Sequence, residues 1–272
     1  MTILDKIIAH KKKEVEERKA MYPVKLLEKS VFFGSPCVSF RKYMLRPDKA
    51  GIIAEIKRKS PSLGMINKYV SIERTSIGYM QAGASALSIL TDTEFFGGKN
   101  EDLTTARKFN YCPILRKDFT IDEYQVIEAK SIGADVVLLL ANVLDRVRIK
   151  ELAKLAHSLG MEVLLEVRTA EEIGSANEFV SAIGVNNRDL TDFSVNTKRS
   201  FELADRIPPE FIKVSESGLS SVQTVHDLRM AGFNGFLMGE AFMKDSRPEQ
   251  ACERFIRELK DYKSSKLKAE KR

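Results

Sequence analysis

Glutamate and lysine side chains stand at the ends of several apolar runs, where a fully buried strand would not tolerate them. They are Glu55 and Lys57 in GIIAEIK, Lys117 in CPILRK and Glu166 in EVLLEV. Residues two apart on a strand point to the same side, and the carboxyl ends of barrel strands meet at one mouth, so the four groups are expected to converge. Opposite charges hold each other ionised while desolvation favours neutral forms, so this cluster is predicted to provide an acid and a base. The alternative interpretation is a structural ion-pair network.

A second set of polar groups and glycines follows the later apolar runs and is predicted to bind phosphate. The triplet ESG ends FIKVSESG, and the pair GE ends GFLMGE. In such barrels the loops after the seventh and eighth strands commonly cradle phosphate through backbone N–H groups, and glycine allows the anion a close approach. KRKSPS adds a hydroxyl and VNNRDL adds a positive charge. The predicted phosphate-binding residues are Ser60, Arg188, Ser217, Gly218 and Gly239.

Apolar groups near the same mouth are predicted to form a pocket for a planar aromatic ring. Phe95 and Phe96 follow the second run, Phe119 follows the third, and Leu190 follows the sixth. Small-molecule pockets are lined mainly by such side chains, with a few polar groups that fix orientation. Ordinary capping of the core is the alternative interpretation.

The histidines do not indicate a catalytic or metal site. His10, His157 and His226 fall on predicted helices away from the strand ends, and no cluster of Cys, His and Asp has metal-ligand spacing. Three aspartates near strand ends are expected to cap or to pair rather than to hold a cation, namely Asp92, Asp118 and Asp189. We therefore expect no essential metal.

The composition indicates a soluble globular protein of the cytoplasm. Of its 272 residues, 43% are hydrophobic and 30% are charged. The three cysteines form no CxxC pair, as expected for free thiols in a reducing compartment, and the charged N-terminus does not resemble a signal peptide. No apolar run approaches the roughly 20 residues of a membrane span. The net charge of +6 comes largely from residues 260–272, so neither nucleic acid nor a membrane is an expected partner; a monomer and a homodimer both remain open.

Alternating strands and helices must position these groups. The apolar runs are nearly continuous in Val, Ile, Leu and Ala, which is typical of parallel strands covered on both faces. The helical segments between them end before a glycine, and about eight such units favour a closed barrel over an open sheet. The predicted strands are Gly51–Lys57, Ala86–Leu90, Pro113–Asp118, Asp135–Ala141, Glu162–Val167, Ala182–Asn187, Phe211–Glu216 and Gly235–Met238. The predicted helices include Ile72–Gln81, Glu123–Ser131, Arg146–Ser158 and Val222–Met230, with N-caps at Asp122, Asp145 and Thr169.

We expect one domain with three parts. Residues 1–50 form an extension that begins with a charged amphipathic helix and packs on the barrel. Residues 51–259 form the barrel, and residues 260–272 form a basic tail that is expected to be flexible.

The chain resembles the indole-3-glycerol phosphate synthases of tryptophan biosynthesis over nearly its whole length. IIAEIKRKSPS, RKDF, NNRDL, SESG and the later GE occur in the order found in that family. The resemblance implies a (β/α)8 TIM barrel with an N-terminal extension. It also implies a carboxy-lyase that converts 1-(o-carboxyphenylamino)-1-deoxyribulose 5-phosphate to indole-3-glycerol phosphate, carbon dioxide and water without a cofactor.

The resemblance also implies a role for each site residue. Lys117 resembles the general acid that protonates the substrate carbonyl, and Lys57 resembles the lysine that pairs with the benzoate carboxylate. Glu55 and Glu166 resemble the glutamates that stabilise the charged intermediate and move protons, with their division of labour left open. Asn186 and Glu216 resemble ligands of substrate hydroxyl and amine groups. The residues that resemble the phosphate site are Ser60, Arg188, Ser217, Gly218 and Gly239. Those that resemble the wall around the anthranilate ring are Phe96, Phe119, Leu138 and Leu190.

Ring closure requires a protonated carbonyl, so a well-placed acid is needed. A depressed pKa at Lys117, caused by a second lysine and partial desolvation, would suit that role. Glu240 departs from family members that carry serine beside the phosphate, and we expect its carboxylate to point away from the anion.

Two other functions fit the same residues. One is a different sugar-phosphate enzyme on the same barrel, such as a Schiff-base aldolase that uses Lys117 or Lys57. The other is a non-catalytic protein that binds a phosphorylated ligand. Fold analogy alone does not separate these from the synthase.

Overall fold

Eight of the apolar runs form parallel strands that close into a barrel, within residues 2–189 and 193–269, the part of the chain that this computed structural model describes. The strands are β1 (Ile52–Ile56), β2 (Ala86–Leu90), β3 (Ile114–Lys117), β4 (Val136–Leu140), β5 (Glu162–Val167), β6 (Ala182–Asn186), β7 (Ile212–Glu216) and β8 (Gly235–Met238). Each pairs with its neighbours in sequence, and β1 closes the ring by pairing with β8 at Ile53 and Leu237. The predicted (β/α)8 barrel is confirmed, with strand ends that differ by at most one residue.

Both faces of the strands are apolar because side chains fill the barrel and helices cover it. The inner cluster includes Ile53, Leu115 and Leu164, each two residues before a predicted catalytic side chain. Alternate residues such as Ile52 and Leu165 belong to the outer cluster. The period of two along each strand therefore lifts the charged groups to the layer above a filled interior.

The helices follow the predicted segments closely. Those predicted at Ile72 and Glu123 run one residue further than expected, and each ends at a glycine, Gly83 or Gly133, in the left-handed conformation. The predicted N-caps Asp122, Asp145 and Thr169 each accept a backbone N–H bond. The helices are α1 (Ile3–Met21), α2 (Val24–Leu27), α3 (Phe40–Met44), α4 (Ile72–Ala82), α5 (Asn100–Phe109), α6 (Glu123–Ile132), α7 (Arg146–Ser158), α8 (Ala170–Ile173), α9 (Lys198–Leu203), α10 (Val222–Met230), α11 (Glu240–Met243) and α12 (Pro248–Ala269).

The N-terminal extension contacts both ends of the barrel. At the carboxyl mouth, α1 contributes Ile7 to the wall of the main cavity. At the opposite end, α3 buries Phe40 and Met44 in the inner cluster, and Met44 lies close to Gly235, the first residue of β8. The extension is therefore part of the packed structure and borders the mouth where the charged groups lie.

The last helix crosses the predicted start of the C-terminal tail. Since α12 runs from Pro248 to Ala269, residues 260–269 continue the helix that buries Ile256 and Leu259. The flexibility expected for residues 260–272 stays a prediction. Within the described ranges, no helix has the length and apolar character needed to cross a membrane.

Candidate active site

A cavity of about 900 Å³, counting space open to solvent, lies at the carboxyl mouth of the barrel and collects most of the predicted site residues. Those in its wall are Glu55, Lys57, Ser60, Phe96, Lys117, Phe119, Leu138, Glu166, Asn186, Arg188, Glu216 and Ser217. Gly218 and Gly239 stand beside residues of the wall. Leu190, predicted for the aromatic pocket, lies outside the described residues.

The ammonium group of Lys117 bridges two carboxylates at the centre of this cavity. Lys117, the last residue of β3, places Nζ 2.8 Å from Glu166 Oε2 and 2.8 Å from Glu216 Oε2. These glutamates come from β5 and β7, two and four strands away from β3 around the barrel. Asn186, at the end of β6, donates a 2.8 Å hydrogen bond to the other oxygen of Glu166. Four strands thus bring an acid and two carboxylates within contact distance.

The expectation that the pKa of Lys117 is depressed is wrong. Burial favours the neutral amine, but Glu166, Glu216 and Glu55 outweigh it and hold the pKa of Lys117 above its usual value. The second lysine, Lys57, is engaged elsewhere, with its Nζ 2.8 Å from Glu55 Oε1. Lys117 is therefore held as a charged ammonium.

The two carboxylates that hold Lys117 differ in acidity. Burial works against ionisation of Glu166, but Lys117 and the hydrogen bond from Asn186 keep its pKa below the usual value. At Glu216, burial and the nearby charges of Glu166 and Glu55 outweigh Lys117 and raise the pKa to about 7. When two neighbouring carboxyl groups have different pKa values, one can act as the acid and the other as the base in a proton transfer.

A glycine that was not predicted for the site makes room for Glu216. A Cβ atom on Gly184 of β6 would lie 2.1 Å from Glu216 Oε1. That oxygen is buried and has no hydrogen-bond partner among the described residues. The sequence did contain a signal for this role, because a glycine inside an apolar strand often marks the close approach of another group.

Glu55 on β1 and Lys57, one residue beyond its end, form a second ion pair in the wall. The side chain of Glu55 is 5% exposed, and Ser88 lies 3.4 Å from its second oxygen. A Cβ atom on Gly239 would lie 2.7 Å from Glu55 Oε1. Gly239 therefore leaves space for this glutamate, and its contact with phosphate stays a prediction.

Arg188, the predicted phosphate ligand, is paired with the carboxylate of Glu240. Arg188 Nη2 lies 3.1 Å from Glu240 Oε2, and Lys244 lies 2.7 Å from the other oxygen of the same carboxylate. Burial opposes the charge of Glu240, but Lys244, Arg188 and Lys57 hold its pKa below the usual value. The carboxylate of Glu240 thus lies in the cavity wall between two cations, and the expectation that it points away from the phosphate stays a prediction.

The turn after β7 is held in an unusual conformation. Ser217 and Gly218 have φ of 69° and 72°, and such angles are uncommon for a residue other than glycine. Asn187, fully buried, donates a 3.1 Å hydrogen bond to the carbonyl of Ser217. A Cβ atom on Gly218 would lie 2.2 Å from Val195 Cγ1. Strained backbone conformations of this kind occur mainly at functional sites. In this turn, the strained residue Ser217 lies in the cavity wall.

Aromatic rings form the apolar part of the wall. The rings of Phe96 and Phe119 lie 6.0 Å apart between centroids, tilted by 36°. Leu138 of β4 and Leu4 of α1 border the same space. The structure thus brings Phe96, Phe119 and Leu138 together and adds the N-terminal helix to them.

The histidines and aspartates behave largely as predicted. Each histidine packs against an aromatic ring, in the pairs His10–Phe95, His157–Phe179 and His226–Tyr262. Asp92 and Asp118 both pair with Lys11 of α1, and Asp189 lies 3.5 Å from Arg168. Residues 2–189 and 193–269 contain no group of three or more His, Cys, Asp or Glu that could hold a metal ion.

A family model for indole-3-glycerol phosphate synthase matches residues 4–258. The chain belongs to that family. An indole-3-glycerol phosphate synthase of Bacteroides thetaiotaomicron is 46% identical over 257 residues, which cover 94% of this chain and 98% of that protein. The synthase of Carboxydothermus hydrogenoformans is 39% identical, over 92% of this chain and 98% of its own length.

Solved structures of other phosphate-handling enzymes share the barrel. A 3-hexulose-6-phosphate synthase of Salmonella typhimurium has a TM-score of 0.57 at 14% identity, covering 77% of this chain and 98% of its own. A thiamine phosphate pyrophosphorylase of Pyrococcus furiosus has a TM-score of 0.58 at 14% identity, covering 81% and 99%. At such identities the likeness concerns the fold alone.

Proposed function

We propose that this protein closes the indole ring of 1-(o-carboxyphenylamino)-1-deoxyribulose 5-phosphate and releases indole-3-glycerol phosphate, carbon dioxide and water. The observation that carries the proposal is the position of Lys117, held between Glu166 and Glu216 in a cavity that also presents an aromatic pair and a guanidinium. Membership of the indole-3-glycerol phosphate synthase family supports the same reaction.

The cavity wall supports one orientation of the substrate. Arg188, with Ser60 and Ser217 beside it, suits the phosphate, since a guanidinium binds anionic oxygens through paired N–H donors. Phe96 and Phe119 offer apolar faces to the anthranilate ring. In this orientation the benzoate carboxylate meets Lys57, and the ketone carbonyl lies within reach of Lys117.

In the proposed mechanism Lys117 is the general acid. The aromatic carbon that bears the carboxylate attacks the ketone carbon, and the carbonyl oxygen takes a proton from Lys117 to become a hydroxyl. Glu166 and Glu216 hold Lys117 in the charged form, which is the form that a general acid needs. A substrate oxygen that replaces one of its two carboxylate contacts would lower its pKa and ease the transfer.

The two central glutamates fit the later steps. Attack of the ring leaves positive charge on the substrate nitrogen, and the ionised carboxylate of Glu166 is suited to stabilise it. Loss of carbon dioxide restores the aromatic ring and makes the step effectively irreversible. The new hydroxyl then takes a proton and leaves as water, and the adjacent ring methylene loses a proton to a base as the double bond of the indole forms. Glu216, with a pKa near 7, is suited to exchange one of these two protons.

The raised pKa of Lys117 weighs against a Schiff-base aldolase. Schiff-base formation needs a neutral amine, whereas Lys117 is held charged by Glu166 and Glu216. Treatment with borohydride in the presence of substrate distinguishes the two mechanisms. A covalent adduct on Lys117 or Lys57 would support the aldolase and exclude the proposed synthase mechanism.

A direct assay tests the proposal. The purified protein is mixed with the carboxyphenylamino substrate in the presence of EDTA, and indole fluorescence is followed. We expect the signal to grow with the wild type and with Lys154→Ala, a change of an exposed lysine, and to be abolished by Lys117→Ala. An unchanged signal in Lys117→Ala would refute its role as the general acid. No signal from the folded wild type, with ligand binding that Lys117→Ala leaves intact, would support a non-catalytic binding protein.

The reaction is proposed to take place in the cytoplasm. Among the described residues Cys37, Cys112 and Cys252 are free thiols, which suits a reducing compartment. Whether the protein acts as a monomer or a homodimer stays open.

A further inference from the structure

A lysine of the N-terminal helix is buried among carboxylates beside the active site. The side chain of Lys11 is 1% exposed, and its Nζ lies 2.9 Å from Asp92, 2.9 Å from Asp118 and 2.8 Å from Glu14. An ammonium group is costly to bury unless it is fully paired, so this arrangement fixes the position of Lys11 against both aspartates. Burial favours the neutral amine, but Asp118, Asp92 and Glu14 hold the pKa of Lys11 above its usual value.

Each of the two aspartates organises a turn that carries an aromatic wall of the cavity. Asp92 follows β2, and its Oδ1 accepts hydrogen bonds from the backbone N–H groups of Phe95 at 2.7 Å and Phe96 at 3.2 Å. Asp118 follows β3, and its Oδ1 accepts one from Phe119 at 2.8 Å. The rings of Phe96 and Phe119 face each other across 6.0 Å. Lys11 thus lies between the two turns that set the spacing of this pair.

The two aspartates depend on Lys11 to different degrees. Asp118 has a second cation, since Arg116 Nη2 lies 3.4 Å from its Oδ2, and it also accepts a 2.6 Å hydrogen bond from Thr91. Asp92, by contrast, has one ion-pair partner in the described part of the chain, and that partner is Lys11. Loss of the lysine would therefore leave Asp92 as an uncompensated buried charge and would disturb the turn of Phe96 more than that of Phe119.

We infer that Lys11 is a positioning residue for the ring-binding half of the active site. It holds the turns after β2 and β3 at the separation that accepts a planar ring, and it couples the N-terminal helix to that separation. The inference rests on the proposed function for the identity of the ring. The proposed phosphate residues Arg188, Ser217 and Ser60 follow β6, β7 and β1. The charged partners of Lys11 are Glu14, Asp92 and Asp118, so we expect phosphate binding to be independent of Lys11.

Binding of two fragments of the substrate tests the inference. Anthranilate probes the ring half and inorganic phosphate probes the other half, each titrated into wild type, Lys11→Met and Lys19→Met. Lys19 is the control because it lies on the same helix and pairs with Asp122 at 2.9 Å, with its side chain 37% exposed. Such an exposed pair contributes little, so Lys19→Met should leave both Kd values within about twofold of wild type.

Lys11→Met should raise the Kd of anthranilate at least about tenfold, because misplacement of a binding wall by a fraction of an ångström is costly. The Kd of inorganic phosphate should stay close to that of wild type. An unchanged anthranilate Kd would overturn the inference. A parallel rise in both values would overturn it as well, since it would indicate general loosening of the fold.

Asp92→Asn provides a second test of the inference if the Lys11→Met protein fails to fold. The asparagine oxygen still accepts the N–H bonds of Phe95 and Phe96, so the substitution removes the charge pair alone, and the same selective loss of anthranilate binding is expected. Equal affinities for both probes in wild type and Asp92→Asn would contradict the inference. Fragment binding does not require turnover, so absence of synthase activity in the wild type would count against the proposed function and leave this result intact.

Discussion

Arg188 Nη2 lies 3.1 Å from Glu240 Oε2, so the predicted phosphate ligand already holds an anion of the protein. Lys244 contacts the other oxygen of that carboxylate at 2.7 Å. A phosphate that binds Arg188 must therefore displace the carboxylate or share the guanidinium with it. Close like charges repel, and the side chain of Glu240 is 33% exposed, so displacement toward Lys244 and solvent is the less costly course.

Glu240→Gln is expected to strengthen substrate binding. Removal of the competing charge frees Arg188, and because the pair is partly exposed KM should fall by about three- to tenfold with little change in kcat. Steady-state kinetics at low and high salt measure the effect, which should shrink as salt increases. The exposed Glu253→Gln is the control for a simple change in net charge. A higher KM in Glu240→Gln would indicate that the carboxylate orients Arg188 for the phosphate.

Arg188→Ala is expected to act on binding rather than on chemistry. Loss of the charged donors should raise KM at least about tenfold while kcat changes much less. Combining it with Glu240→Gln completes a double-mutant cycle. If Glu240 acts through Arg188, the glutamine substitution will no longer lower KM in the Arg188→Ala background. Additive effects would place Glu240 in direct contact with another part of the substrate.

The raised pKa of Glu216 predicts a pH-dependent stability. Its pKa is about 7 in the folded protein against 4.5 for an ordinary glutamate, so the folded state binds more protons than the unfolded state between these values. Stability contributed by the protonated form is therefore present at low pH and is lost as pH rises through 7. The free energy of unfolding of wild type relative to Glu216→Gln should fall on the order of 1–3 kcal/mol between pH 5 and pH 8.

Urea unfolding at the two pH values measures this difference, and the exposed Glu202→Gln controls for loss of a carboxylate. A difference between wild type and Glu216→Gln that stays constant with pH would contradict the assignment. A difference that grows with pH would show that the ion pair with Lys117 dominates over burial of the carboxylate.

The sequence was sufficient to predict the barrel and the convergence of its charged groups, because both depend on periodicity. Glu55, Lys117 and Glu166 lie one layer above Ile53, Leu115 and Leu164, as the period of two requires. The pKa of Lys117 was not predictable in this way. Its direction depends on which charges lie nearest. Those charges are the carboxylates of Glu166 and Glu216, whereas Lys57 is paired with Glu55.

Lys11 shows a second limit of sequence reasoning. It stands in the run HKKKE, which is typical of a solvated helix face. Its four-residue spacing from Ile7 and Val15 places it on the buried stripe of α1, yet that cue becomes meaningful only when Asp92 and Asp118 supply the compensating charge. Those aspartates are 81 and 107 residues away in sequence, and nothing local links them to the lysine.

Gly184→Ala is expected to impair catalysis through Glu216. The new Cβ atom would lie 2.1 Å from Glu216 Oε1 and 3.2 Å from Leu164 Cδ1, so the carboxylate must move from its position beside Lys117. We expect kcat to fall at least about tenfold, since the displaced group contacts the proposed acid, and stability to fall by about 1–3 kcal/mol from overpacking. Gly34→Ala, where an added Cβ meets nothing within 4 Å, is the matched control. Normal kcat in a folded Gly184→Ala protein would show that the position of Glu216 is not critical, and would move the proton transfer assigned to it onto Glu55 or Glu166.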